Sequence, residues 1–131
     1  MKLNYRTKAL LTAAAFILAI IGFLIKLPSI FRYYDKEMHS LFYFLAAAFL
    51  NFFFARRIIF RHVVIFIFLL LFGIAIEFAQ EYSNKFLHKR IHGRFDIEDI
   101  QFNFRGLIFF SILWITYNVI LFVNKKRNTR I

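Results

Sequence analysis

No cysteine occurs in this sequence. Disulfide frameworks, thiolate zinc sites and thiol nucleophiles are therefore excluded. Proline is nearly absent too: the only one, Pro28, breaks the chain after a long apolar run. Acidic residues are scarce, seven against 18 lysines and arginines. No linker, low-complexity tract or second domain interrupts the chain. What is abundant is apolar: 61% of the 131 residues are hydrophobic, 21 of them phenylalanine, and the mean hydropathy is +0.63. Soluble domains average about 45–50% apolar residues, and a chain this short cannot bury such an excess in its own core. Lipid is the solvent this composition fits.

Four apolar runs organise the chain. They cover Ala9 to Ile25, continuing past Lys26 to Leu27; Met38 to Ala55; Val63 to Ile76, reaching Gln80 if Glu77 is tolerated; and Gly106 to Asn124. A spanning helix needs roughly 17–25 residues. The expectation is a single all-α membrane domain over residues 1–131, a four-transmembrane-helix bundle. Its helices cover about 9–27, 38–55, 62–80 and 104–123, with a polar connection at 81–103. The basic start (Lys2, Arg6, Lys8) resembles that of a signal peptide, but the first run is longer than a cleavable core and no small-residue site follows it. An uncleaved first helix is expected.

The net charge of +11 would suggest nucleic acid in a soluble protein. Here the lysines and arginines flank apolar runs, where they orient spans and meet anionic headgroups, so no nucleic-acid partner is expected. The N-terminus, the second connection (Arg56, Arg57, Arg61) and the C-terminus carry ten of them, and the first and third connections carry eight. This bias places both termini in the cytoplasm. All seven acids then fall on or near the outer side.

Those acids sit in short polar patterns. Asp35 and His39 are four residues apart at the start of the second run, on one helical face. This is either a cap with an interfacial histidine or an acid–imidazole pair. Glu77 and Gln80, with Glu81, share a face with Gly73 near the end of the third run. An ionisable group at membrane depth costs about 2.5–3.5 kcal/mol on insertion scales, so Glu77 calls for a polar surrounding. In "HGRFDIEDIQFNFRG", Asp96, Asp99, Asn103 and Gly106 form one helical stripe. Helix capping accounts for Asp96 and Asp99, not for Asn103 a turn deeper. Arg94 precedes the stripe and can sit over acids or an anionic headgroup. The two openings, Asp35-x-x-x-His39 and Asp99-x-x-x-Asn103, echo each other, though so short a match arises readily by coincidence. Polar groups on three helix ends are least costly when they face one another. The sequence therefore predicts a polar chamber near the outer membrane face, lined by Asp35, Lys36, His39, Glu77, Gln80, Arg94, Asp96, Asp99 and Asn103.

Taken together, "DKEMHSLFYF", "EFAQEY" and "GRFDIEDIQFNFRG" resemble the VanZ-like family of bacterial membrane proteins. That family's pattern is Asp-Lys-x-x-His, then Glu-x-x-Gln, then Arg-x-x-x-x-Asp-x-x-x-Asn-x-x-Gly. The matching positions are Asp35, Lys36 and His39; Glu77 and Gln80; and Arg94, Asp99, Asn103 and Gly106. The chain departs from the pattern at Phe104 and at Phe110, where the family often has threonine and a second glycine. The resemblance implies a multi-pass protein of the bacterial cytoplasmic membrane, active in the cell envelope and linked to teicoplanin-type glycopeptide resistance.

Three functions are compatible with these patterns. The first is binding of an envelope component through the outer chamber: a lipid-linked precursor, a headgroup or a membrane protein partner, with membrane lipids around the bundle. In the second, an enzyme acts on a lipid-linked phosphate or ester. There His39 serves as general base, Asp99 and Glu77 hold a divalent ion or polarise water, and Arg94 clamps a phosphate. One imidazole among oxygen ligands suits Mg²⁺ or Mn²⁺ better than zinc. The third is an accessory subunit of a larger membrane complex or transporter. The sequence itself assigns no cofactor.

Overall fold

The structure is a computed structural model and describes residues 3–25, 28–88 and 95–130. The described residues are almost entirely helical. Helix α1 is Tyr5–Leu24, α2 is the short Ser29–Arg32, α3 is Asp35–Leu50, α4 is Ile59–Phe86 and α5 is Ile97–Asn128. A π-helical turn, Asn51–Ala55, continues α3. Apart from α2, every helix, with α3 taken through this turn, is long and apolar enough to cross a membrane. The protein is an all-α four-helix bundle.

The helix ends show why the chain breaks where it does. Asn4 caps α1, its Oδ1 accepting from the Thr7 N–H at 2.8 Å. Pro28 stands just ahead of α2, where its missing N–H costs nothing. The carboxylate of Asp96 caps α5 by accepting from the Glu98 N–H at 2.8 Å. Glu98 and Asp99 follow in the first turn, beside the positive end of the helix dipole. Because of this cap α5 begins at Ile97, ahead of the apolar run expected at 104–123, and α4 continues to Phe86. Much of the stretch expected as a polar connection at 81–103 is therefore helical, with its polar residues on helix ends. Arg56 turns the chain between α3 and α4 with a φ of 52°.

Few residues are buried, and the outer surface carries many exposed phenylalanine, isoleucine and leucine side chains. This inverts soluble-protein economy and fits lipid contact. In lipid, helices associate by close packing and interhelical hydrogen bonds, not by apolar burial. The core is accordingly small: Tyr43, Ala47 and Leu50 of α3, Leu69 of α4 and Leu107 of α5. Helices α3 and α5 make the most extensive contact. Gly106 is what lets them meet, because a Cβ there would run into the Ser40 carbonyl oxygen. Helix α1 contributes no buried residue and lies chiefly along α4. Its Phe16 packs edge-on against Phe68 and Phe72.

All seven acids gather at one end of the bundle, the end away from both termini. Asp35 and Glu37 lie in the first turn of α3, Glu77 and Glu81 near the end of α4, and Asp96, Glu98 and Asp99 at the start of α5.

Candidate functional site

At this acidic end five side chains with polar tips are buried among three helices. His39 and Tyr43 descend from α3, Glu77 comes from α4, and Asp99 and Asn103 come from α5. His39, Tyr43, Glu77 and Asn103 are each at least 96% buried, and Asp99 is 8% exposed. Helical spacing produces this: Asp35, His39 and Tyr43 recur every four residues on α3, and Asp99 and Asn103 do so on α5. Glycine makes the room on α4. A Cβ at Gly73 would lie 2.7 Å from Asn103 Nδ2 and 3.0 Å from Tyr43 Oη. The missing side chain thus gives Tyr43 of α3 and Asn103 of α5 a shared slot, one turn before Glu77.

The central contact joins two helices. His39 Nδ1 lies 2.9 Å from Asn103 Oδ1. An amide oxygen only accepts, so in this orientation of Asn103 the imidazole donates from Nδ1. Its other nitrogen, Nε2, then carries a lone pair when the ring is neutral, and it faces Asp35 Oδ1 at 4.0 Å. One donor-type atom from each of Asp35, His39 and Asp99 lies within 4.8 Å of the other two. Phe23 of α1 covers the ring, centroid to centroid 5.1 Å.

Glu77 ties α4 to the start of α5, its Oε2 accepting from the Asp96 N–H at 3.3 Å. Asp99, Asp96 and Asp35 all stand close enough to act on its charge. Among the described residues its second oxygen, Oε1, has no hydrogen-bond partner, and neither do Asp99 Oδ1 and Tyr43 Oη. Lys36 is occupied at the rim by Glu98, with Asp96 Oδ2 at 3.9 Å.

Most of the residues anticipated from sequence thus converge: Asp35, Lys36, His39, Glu77, Asp96, Asp99 and Asn103 share one end of the bundle. Gln80 turns another way, donating from Nε2 to the Phe23 carbonyl at 2.9 Å, so it fastens α1 to α4. Glu77, anticipated to share an ion with Asp99, is not in the compact set of donor atoms, where Asp35 and His39 stand instead. Arg94 lies outside the described residues.

A second buried network joins residues that no sequence pattern links. At the opposite end His62 Nδ1 lies 2.7 Å from Asn51 Oδ1, and its Nε2 lies 3.0 Å from Ser111 Oγ. Asn51 donates in turn to the Ala47 carbonyl at 2.7 Å, and the imidazole stacks on Trp114 at 4.3 Å. Each polar atom of His62 is engaged, so this network locks the turn between α3 and α4 to α5. The available signal was Asn51 itself, an amide inside an otherwise apolar run.

Comparison with protein-family models, curated proteins and solved structures finds no match. The likeness to the VanZ-like family rests on the motif residues alone.

Proposed function

We propose that this chain is a VanZ-like protein of the bacterial cytoplasmic membrane that binds an envelope component through the cluster around His39, Glu77 and Asp99. One observation carries the reading: three acceptor-bearing groups on three helices, Tyr43, Glu77 and Asp99, are buried with one oxygen each that finds no partner among the described residues. A purely structural polar core satisfies itself, since a buried unpaired group costs about 1–3 kcal/mol. The His62 network at the other end does so. Unsatisfied acceptors clustered at one end fit a site whose donors arrive with a ligand. Headgroup amines and the hydroxyls and amides of a lipid-linked precursor are donors of that kind. The motif resemblance supports a role in the cell envelope and the link to teicoplanin-type resistance. A membrane-embedded hydrolase is the second reading, favoured by the way Asn103 aims His39 Nε2 toward Asp35.

Native mass spectrometry of protein extracted in mild detergent tests the binding. The wild type is expected to carry an envelope lipid or precursor. Glu77→Gln keeps an acceptor for the Asp96 N–H, so it should accumulate normally. It loses the charge that strengthens a ligand hydrogen bond, worth about 1.5–3 kcal/mol, and occupancy should fall by at least about tenfold. A wild type without adduct, or a variant equally loaded, rejects the reading.

The orientation we propose puts both termini in the cytoplasm and the acidic end outside, supported by the lysine and arginine bias. Because the chain lacks cysteine, single substitutions report topology cleanly. Tyr33→Cys, at a position 82% exposed, should react with an impermeant maleimide in intact cells. Thr129→Cys should react only after permeabilisation. The reverse pattern inverts the topology.

A further inference from the structure

The geometry points to a divalent-cation site formed by Asp35, His39 and Asp99, suited to a hard ion such as Mg²⁺ or Mn²⁺. This inference rests on the reading of the cluster as a binding site and names an occupant for it.

Three observations meet here. The first is spacing. Donor atoms held about 2.1 Å from such an ion stand no more than about 4.2 Å from one another. The atoms offered by Asp35, His39 and Asp99 already lie within 4.8 Å of one another, so closing on an ion needs movements of tenths of an ångström. The second is the tautomer. Asn103 takes the Nδ1 proton of His39 at 2.9 Å, which leaves Nε2 as the lone-pair atom facing Asp35 Oδ1. An outer partner that fixes the ring through one nitrogen so that the other can ligate is how metal-binding histidines are held. The third is the deficit of donors. Nε2 and two carboxylates are all acceptors, and Asp99, 8% exposed, keeps its Oδ1 unpartnered. The nearby lysine, Lys36, is held against Glu98 and Asp96. Among the described residues, the acceptors here outnumber the donors offered to them.

The ligand set also selects the ion. Two carboxylates and one imidazole, with no thiolate, are a hard set. Asp35 is only half-buried, its side chain 48% exposed, so the site opens to the bundle end. An ion there keeps part of its water shell or takes a phosphate oxygen from a ligand, as Mg²⁺ habitually does.

The test uses the full chain in detergent, washed with chelator and titrated with Mn²⁺, followed by electron paramagnetic resonance and by thermal unfolding. One saturable Mn²⁺ per chain is expected, with a rise in the unfolding temperature. Asp35→Asn is the safest variant, because its half-exposed carboxylate is not needed for packing. It should unfold normally without metal and bind Mn²⁺ at least about 10–100-fold more weakly, the range seen when only an outer partner is lost. Asp99→Asn should do the same. Absence of saturable binding in the wild type overturns the site. Binding unaltered in both variants overturns it equally, placing the ion on exposed acids elsewhere. Lipid occupancy is measured on separate chelator-washed protein. Protein with lipid and no ion therefore fails this inference alone, and protein with neither fails the binding reading as well.

Discussion

Gly106→Ala is expected to destabilise the bundle by about 3 kcal/mol, the upper part of the range for overpacking. The added methyl group would run into the Ser40 carbonyl oxygen and stand 3.0 Å from the Ser40 carbonyl carbon and 3.1 Å from the Phe44 nitrogen. All three are backbone atoms of α3, so no rotamer change relieves the clash, and the two helices must separate. The damage reaches the site, because Asn103 lies one turn before Gly106 and would be drawn away from His39. Gly22 supplies the control: a Cβ there meets nothing within 4 Å. Gly22→Ala should be neutral or stabilising by up to about 1 kcal/mol through helix propensity. Unfolding in mixed micelles of increasing denaturing detergent measures both. If the two alanine variants respond alike, α3 and α5 do not approach as described.

Asn103→Ala is expected to cost about 2–3 kcal/mol, near the upper end for orphaning a buried group. It leaves the His39 N–H without its acceptor on a ring only 4% exposed. Much of that cost should vanish when the histidine is absent. In a double-mutant cycle with His39→Ala, the coupling should therefore exceed about 0.5 kcal/mol, as for other residues in direct contact. Additivity within about 0.3 kcal/mol would show that the two side chains do not meet. The same variant bears on the cluster's geometry, since an imidazole released from Asn103 no longer holds Nε2 toward Asp35.

Much of this architecture was legible in the sequence, for reasons that can be located. The spans were readable because apolar runs of membrane length are bounded by charge. The cluster was readable because Asp35, His39, Asp99 and Asn103 keep a four-residue spacing, which a helix converts into one face. The echo between the two openings, short enough to pass for coincidence, joins in space: His39 of one hydrogen-bonds Asn103 of the other, and Asp35 and Asp99 share the same few ångströms. What stayed hidden depended on rotation and on partners. Glu77 and Gln80 are three residues apart, about 60° apart around the helix. That difference turns Gln80 to the α1 backbone and Glu77 into the cluster. The His62 network stayed hidden because His62 directly follows Arg61 and reads as part of a charged connection. Nothing in sequence announces that Ser111, forty-nine residues later, completes it. The start of α5 at Ile97 was set by the Asp96 cap, a local hydrogen bond that hydropathy does not register.

The slight attachment of α1 has a mechanical consequence. This helix closes one wall of the cluster through Phe23 and is fastened there by Gln80, yet it buries no residue of its own. Swinging it aside within the bilayer plane sacrifices little packing, whereas parting α3 from α5 sacrifices the core. Of the walls around His39, α1 is therefore the one whose displacement costs the bundle least.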